Sequence, residues 1–323
     1  MTTKEAPRST FSVDPWDPGY GLAFSSDLDG GALAESSAQL NLDVELPAAD
    51  WAPAEPEPHL TKPETLLFLD GVRRIDARVW VHGSDPQPAP GIAASFAAGL
   101  VCCDGAARIA DVRVGRRLFT AARDAVDIVT RHGDYLVGPA TGGSLDELSA
   151  ALQQRLTETE VALAFDYRAL HGLDDDLLIV DGPLRGRTHL PRTVGYIKTH
   201  HSAYLPAAQA EVVGALAPGQ RTPVFTMGTS WIRHAWYLRL PGASGAPWSG
   251  VVRLECSADL PGADAVQLAD VTASLLPTFA SSPHKDPRAP QNLVPIGGLE
   301  RELRHRLGDA QFLYRSLRAS ATA

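Results

Sequence analysis

The 323-residue sequence has little cysteine, no excess of positive charge and no long apolar run. Its three cysteines, Cys102, Cys103 and Cys256, include an adjacent pair but no C-x-x-C spacing. This usage argues against a disulfide framework and against a cysteine-based zinc site, so a reducing, cytoplasmic compartment is the simplest expectation. No apolar stretch approaches the ~20 residues that a membrane span needs. The first ten residues, MTTKEAPRST, lack the apolar core of a signal peptide.

Two other absences narrow the function. The net charge is −9, so no global basic field attracts nucleic acid, and any binding to DNA must use a local patch. The sequence contains neither the G-x-x-x-x-G-K-[ST] motif of a P-loop nor the G-x-S-x-G motif of a nucleophile elbow. A partner that hydrolyses ATP would therefore be another chain.

Composition divides the chain into two parts. Residues 1–60 are rich in proline, acids and alanine, which predicts an irregular, partly extended arm packed on the body through Trp16, Tyr20 and Trp51. Disorder of this segment is the alternative interpretation. Residues 61–323 form the main domain, and the hydrophobic content of 44% is enough for a large core.

Hydrophobic patterning in the main domain predicts strands on both sides of one long helix. TLLFLDG and RRIDARVWVHG predict a hairpin, and two further strands follow in GIAASFAAGLVCCDG and ARIADVRVGRRLFTA. Residues 144–172 predict a helix, with Ser144 and Glu147 as a capping box and Gly172 at its end.

The second half of the domain mixes strands and helices. LLIVDGPL, TVGYI, RTPVFTMG, SWIRHAWYLRL and SGVVRLEC predict strands, whereas DAVQLADVTASLLPTFA and GLERELRHRLGD predict helices around the polar loop SSPHKDPRAPQN. The order of elements predicts an α/β fold, with a mixed sheet flanked by helices and an irregular N-terminal arm.

Three acids stand out by position. Asp70 and Asp181 each follow an apolar strand, and Glu160 lies on the long helix in register with Leu152 and Leu156. A buried acid is costly unless a partner stabilises it, and a divalent cation is one such partner. Three carboxylates brought together would form a hard oxygen site for Mg²⁺ or Mn²⁺, which can activate water for phosphodiester cleavage.

Each acid also has a simpler interpretation. Asp-Gly after a strand is a common turn sequence, so Asp70 and Asp181 could be turn residues. Glu160 could lie at the margin of the helix and pair with Arg155 or Arg168.

Three stretches resemble the NurA nuclease family: FLDGVRRIDARVW, then LIVDGPL with GYIKTH, and the looser PQNLVPIGGLERELRHRLG near the C-terminus. The resemblance covers roughly residues 64–315. It implies a ribonuclease-H-like fold and a Mn²⁺-dependent (or Mg²⁺-dependent) deoxyribonuclease that processes DNA ends in double-strand break repair. It also implies a homodimer that works with a hexameric HerA ATPase translocase.

The resemblance assigns roles residue by residue. Asp70 and Asp181 match the two catalytic aspartates, and Glu160 is chosen over Glu158 as the helix glutamate, so that Asp70, Glu160 and Asp181 would hold the metal. Lys198, in YIKTHH, matches the family's lysine and would contact a phosphate or the attacking water.

The C-terminal part departs from the family. Ala289 and Gly297 stand where a tyrosine and a histidine are expected. Either His284 or Lys285 replaces them or activity is weakened, and His284 could equally be a solvated loop residue.

Basic residues near the acids are candidates for DNA contact. Arg73, Arg74 and Arg78 follow Asp70 and could steer DNA. A second basic group follows Asp181 and would contact phosphates, with a solvated loop as the alternative interpretation. This group consists of Arg185, Arg187, Arg192 and Lys198. At most one of His200 and His201 would face the site. The aromatic residues of SWIRHAWYLRL suit either base stacking or strand packing.

These observations favour a metal-dependent DNA nuclease. The first alternative is a non-catalytic module of the same fold that binds DNA ends or a translocase, which the departures at Ala289 and Gly297 motivate. The second alternative is a small-molecule hydrolase whose acids bind one metal.

Overall fold

The computed structural model describes residues 9–15, 34–35, 38–199, 202–243, 245 and 248–321. The strands are β1 (Thr10–Val13), β2 (Ala34–Glu35), β3 (Gln39–Asn41), β4 (Thr65–His82), β5 (Ala89–Cys103), β6 (Ala107–Thr120), β7 (Leu136–Pro139), β8 (Asp176–Asp181), β9 (Thr193–Ile197), β10 (Ser202–Ala203), β11 (Phe225–Gly228), β12 (Ile232–Arg239) and β13 (Val251–Ser257). The α-helices are α1 (Leu145–His171), α2 (Ala207–Ala215), α3 (Gly262–Leu275), α4 (Val294–Arg306) and α5 (Ala310–Ala321).

One mixed sheet organises the chain. Its strands follow the order β3-β11-β12-β13-β9-β8-β4-β5-β6-β7, with β1 added beside β4. β4, β8 and β9 run parallel to their neighbours within this group, and most other pairs are antiparallel. The predicted α/β class with a mixed sheet between helices is therefore confirmed. None of the described helices is both long and apolar enough to cross a membrane.

Helices cover both faces of the central strands. On one face, α1 buries Leu152, Leu156 and Leu163 against Leu67 and Leu69 of β4. On the other face, α3 and α4 pack on a second core that includes Phe68 of β4. Alternate residues of β4 thus enter different cores, as the two-residue period of a strand requires.

The predicted hairpin at Asp70-Gly71 is wrong, because β4 is one continuous strand of 18 residues. It pairs with β5 almost throughout, with one irregularity between Ile75 and Ala77. The residues of Leu66–Leu69 are apolar because both faces of the strand are buried, so the sequence shows no alternation that would distinguish a continuing strand from a turn. Asp70 therefore lies within a strand and not at its tip.

The long helix agrees with its prediction in detail. Ser144 caps α1 through the amide of Glu147, whose side chain accepts from the Ser144 amide in return. Gly172 ends the helix in the left-handed conformation at φ 57°. The strands predicted in the second half correspond to β8, β9, β11, β12 and β13, and the predicted helices to α3 and α4. The helices α2 and α5 have no counterpart among the predicted elements.

The described part of the arm packs on the body. Trp51 is buried, and its indole nitrogen donates to the carbonyl of Leu42 at 3.0 Å. Glu45 forms an ion pair with Arg221, a buried residue that also pairs with Asp270 of α3. Trp16 and Tyr20 lie outside the described residues.

Candidate functional site

Two of the predicted acids lie side by side in the sheet. β4 and β8 are parallel, and the register of their pairing runs from Thr65–Asp176 to Leu69–Val180. The next residues along the two strands are Asp70 and Asp181. Because neighbouring parallel strands in register carry equivalent residues on the same face, the two carboxylates belong to one site.

The aspartate pair lies next to α4, although residues of α1 line a second, larger opening to it. Phe68 and Ile179 belong to the core beneath α3 and α4, whereas Leu69 and Val180 belong to the core beneath α1. Alternation therefore places Asp70 and Asp181 on the α4 side. A cavity of about 250 Å³ confirms the placement, since residues of α4 line it together with both aspartates.

Burial and repulsion shape the electrostatics of the pair. Asp70 is only 7% exposed, and burial followed by the negative charge of Asp181 raises the pKa of Asp70 well above its usual value. Oδ1 of Asp70 accepts from the amide of Gly71 at 2.7 Å. Burial also raises the pKa of Asp181, although the charge of Lys198 opposes that effect. Neighbouring carboxylates with raised pKa values are typical of functional sites.

Lys198 binds Asp181 from the end of β9. Its Nζ lies 2.6 Å from Oδ2 of Asp181 and donates to Oδ1 of Asn292 at 3.1 Å. Asn292 is fully buried, and its amide donates to Oδ2 of Asp286 at 2.6 Å. The loop before α4 therefore fixes the position of the lysine.

Glu160 approaches from α1, on the other side of β4, and its charge contributes to the raised pKa of Asp70. It projects from α1 over the backbone of Gly71 and is 2% exposed. Arg187 forms a buried ion pair with it, yet burial raises the pKa of Glu160 despite that partner. Glu158 is exposed and pairs with Arg155. Glu160 is thus the acid that faces inward, as its register with the leucines predicts, but its partner is an arginine that sequence reasoning assigned to DNA.

Gly71 allows this contact because it has no side chain. A Cβ atom there would collide with Oε1 of Glu160 and lie 2.8 Å from Cδ1 of Leu156. We expect Gly71→Ala to destabilise the protein by about 1–3 kcal/mol, since overpacking forces neighbours off their rotamers. Urea denaturation measures the change. Gly298→Ala in α4 is the control, since nothing lies within 4 Å of its added Cβ; equal midpoints for the two variants would contradict the steric argument.

The aspartate pair and Glu160 open into a common groove of about 1060 Å³. Asp70, Glu160 and Asp181 all line it, and so do Arg73, Arg185 and Arg187. Arg73 and Arg185 are exposed. The groove therefore combines anionic groups at its base with cationic side chains at its rim, which is the charge arrangement that a phosphate chain bound near a metal requires.

Two arginines predicted to contact DNA form ion pairs within the protein. Arg187 is 6% exposed and paired with Glu160. Arg74 pairs with Asp76 at 2.7 Å, and its Nη1 donates to the carbonyl of Gly308 at 2.8 Å, beyond the end of α4. Most of their donors bind acceptors inside the fold, although Nε of Arg187 makes no hydrogen bond to a described residue. Arg187 lines the groove and Arg74 does not, and phosphate contact by either arginine stays a prediction.

Of the histidines predicted near the site, the structure describes His284 alone. His284 is exposed and lies 3.4 Å from the hydroxyl of Ser282, outside the lining of both cavities. His200 and His201 lie outside the described residues. At Gly297, an added Cβ would meet Nδ2 of Asn292 at 2.9 Å, so the buried asparagine takes the space that a larger residue would need.

Sequence reasoning missed three residues that line the smaller cavity: Arg288, Glu300 and Arg304. Glu300 pairs with both arginines, at 2.6 Å and 2.9 Å. The only sequence feature that points to them is the four-residue spacing between Glu300 and Arg304 in LERELR, which is also the spacing of ordinary pairs on a solvated helix.

The described residues do not contain a preformed metal centre of three His, Cys, Asp or Glu side chains. Asp70 and Asp181 supply two carboxylates, whereas Arg187 neutralises Glu160 and two arginines hold Glu300. Two carboxylates fit an ion whose remaining ligands are water and substrate phosphate, the usual coordination of Mg²⁺.

Comparison with known proteins finds similarity at the level of structure and not of sequence. No protein-family model matches the chain, and no curated protein matches it. Among solved structures, the chain is similar to the NurA nuclease from Sulfolobus solfataricus, with a TM-score of 0.43 and 10% identity, over 80% of this chain and 84% of that one. This degree of likeness does not assign an activity to the chain.

Proposed function

We propose that this chain is a metal-dependent deoxyribonuclease that cleaves phosphodiester bonds at Asp70 and Asp181. The observation that supports the proposal is the pairing of these two buried carboxylates on adjacent parallel strands, at the base of a groove with arginines at its rim. Lys198 balances one of the two negative charges, so a further cation, or a proton, would balance the other.

The proposed cofactor is Mn²⁺ or Mg²⁺. Oδ2 of Asp70 and Oδ1 of Asp181 make no hydrogen bond to any described residue, and these oxygens would hold the ion. When bound there, the ion would supply a water of lowered pKa and charge for the leaving oxygen. Glu160 could bind the ion only if its ion pair with Arg187 were broken. We therefore assign Glu160 a structural role, in which it packs over the backbone of Gly71.

The chain's own residues would bind and orient the strand. Lys198, positioned by Asp181 and Asn292, places a positive charge next to the carboxylate pair and would contact the scissile phosphate. Arg73 and Arg185 at the rim would bind neighbouring phosphates. Burial of the acids lowers the local dielectric, which strengthens each of these interactions.

The sequence resemblance extends the proposal. It supports a ribonuclease-H-like form of the α/β fold, a role in processing DNA ends for double-strand break repair, a homodimer, a HerA-like hexameric ATPase partner and a cytoplasmic location.

The test is the degradation of end-labelled linear DNA, both single- and double-stranded, with Mn²⁺, Mg²⁺ or EDTA. We expect cleavage by the wild type in the presence of a divalent ion and none in EDTA. The Asp70→Asn variant is the control for contaminating nucleases. Equal cleavage in EDTA, or by the variant, would overturn the proposal.

One observation favours a second candidate, a non-catalytic DNA-binding module. Lys198 already neutralises Asp181, and Arg187 already neutralises Glu160. Binding of labelled DNA by the wild type without cleavage in either metal, and with no change in affinity for Asp70→Asn, would select this alternative.

A further inference from the structure

We infer that Arg288 and Arg304, held by Glu300, bind the phosphate backbone of a DNA strand beside the aspartate pair. The inference rests on the proposed function and adds to it a second binding surface, on the C-terminal side of the site. The three residues come from the loop before α4 and from α4 itself, far in sequence from the acids that they face.

The arginines and the aspartates share one cavity. Its volume is about 250 Å³, and its lining includes Asp70, Asp181 and all three members of the cluster. The charge of Glu300 raises the pKa of Asp181, and that of Arg288 lowers it, so the cluster lies within electrostatic range of the acids. A phosphate next to the aspartates would therefore also lie next to these guanidinium groups.

Glu300 holds both guanidinium groups in place. Its Oε2 accepts from Nη2 of Arg288 at 2.6 Å, and its Oε1 accepts from Nη2 of Arg304 at 2.9 Å. The Glu300 side chain is 13% exposed, and burial would raise its pKa, but the hydrogen bonds from the arginines hold the pKa below its usual value. Glu300 is therefore anionic at neutral pH and orients two long side chains that would otherwise move freely.

The arginines keep donors for a ligand. Their side chains are 52% and 67% exposed, and Nη1 of each makes no hydrogen bond to any described residue. Arg288 also pairs with Asp286 at 3.5 Å, so the two guanidinium groups face two carboxylates, and the cluster offers a ligand oriented donors and not excess charge. An oriented guanidinium matches a phosphate in shape and charge, and it loses less freedom on binding than a mobile side chain does.

The same helix contains a pair that serves as a control. Arg306 lies 2.7 Å from Glu302, with the same four-residue spacing and an exposure of 57%. It lines neither the groove nor the smaller cavity. Removal of its charge changes the net charge of the chain by the same amount as removal of Arg304, without touching the proposed surface.

The experiment is fluorescence anisotropy of a labelled single-stranded oligonucleotide in EDTA, repeated over a series of KCl concentrations. We expect the double variant Arg288→Gln, Arg304→Gln to raise the Kd about tenfold or more, since each charge-assisted hydrogen bond is lost. The slope of log K against log salt should fall by about 0.7 for each phosphate contact removed. Arg306→Gln should bind as the wild type does.

The inference is overturned if the double variant binds with the Kd and salt slope of Arg306→Gln, or if the wild type does not bind the oligonucleotide. Thermal melts check that the double variant is folded. Arg304→Lys, which keeps the charge but loses the forked geometry, provides a milder second variant and should give a Kd between the two. Binding in EDTA requires no chemistry, so a wild type that binds through these arginines but never cleaves DNA would contradict the proposed function alone.

Discussion

Asp70→Asn is expected to abolish metal-dependent cleavage and, at the same time, to raise the stability of the protein. The variant loses a carboxylate proposed to hold the ion, and the loss of one such preorganised electrostatic partner costs roughly 10²–10³-fold in rate. It also removes a buried charge that is close to a second carboxylate. Relief of that repulsion should stabilise the fold by about 0.5–2 kcal/mol, a common exchange of stability against function at active sites.

The gain in stability should depend on pH. Burial and Asp181 raise the pKa of Asp70 in the folded state, so the charged form costs stability at neutral pH. Below the unfolded value of about 3.9, the carboxyl is protonated in both states and the cost disappears. The advantage of Asp70→Asn should therefore be largest near pH 7 and vanish in acid, as urea denaturation at a series of pH values would show.

Asp286 provides a control, because its pKa in the folded protein is lowered, whereas that of Asp70 is raised. Burial acts to raise its pKa, but hydrogen bonds from Asn292 and Arg288 hold the pKa below its usual value. Asp286→Asn should therefore lose stability at neutral pH. If Asp70→Asn were less stable than the wild type at pH 7, the account of the aspartate pair as a repulsive site would be wrong; if it cleaved DNA normally, the catalytic assignment would be wrong.

Arg187→Met is expected to destabilise the protein by about 3–5 kcal/mol, the usual cost of leaving a buried charge without its partner. Glu160, which is 2% exposed in the wild type, would lose the arginine that balances its charge. Because burial already raises the pKa of Glu160 with Arg187 present, loss of the arginine should raise it further. The difference between variant and wild type should then shrink as the pH falls and Glu160 becomes protonated. Guanidinium denaturation at pH 5 and pH 8 measures this difference in the free energy of unfolding.

Two further variants make this result specific to the ion pair. Glu160→Gln combined with Arg187→Met removes both charges, so it should recover much of the loss. Arg185→Met changes an exposed arginine of the same loop and should alter stability by less than about 0.5 kcal/mol. A double variant as unstable as Arg187→Met alone would show that packing, and not the uncompensated charge of Glu160, governs the effect.

Local sequence patterns predicted what depends on local contacts. The capping residues Ser144 and Gly172 fix the ends of α1, and the three- and four-residue spacing of its leucines fixes the inward face that carries Glu160. The apolar run that ends at Asp181 predicted β8 correctly, because a strand buried on both faces is apolar throughout. These features need only the neighbouring residues for their formation.

Features that depend on distant partners could not be read from the sequence. The continuation of β4 through Asp70-Gly71 depends on β5 and on α1, which cover the strand at positions where the local sequence resembles a turn. The role of Arg187 depends on a glutamate 27 residues away. Glu300 lines the same cavity as the aspartates only because α4 packs on that face of the sheet, and no spacing in the sequence predicts this proximity.

The unbroken course of β4 makes the two aspartates unequal in their mobility. Asp70 belongs to a strand bound along its length to β5, so its backbone can move only when much of the sheet opens. Asp181 is the last residue of β8 and precedes Gly182, whose φ is 102°. Asp181 is held on the β9 side, where it pairs with Tyr196, and the amide of Gly182 donates to the carbonyl of Tyr196 at 2.9 Å. These few contacts at the end of β8 would break more readily than the long ladder between β4 and β5, so a widening of the site would displace Asp181, with its bound Lys198, more than Asp70.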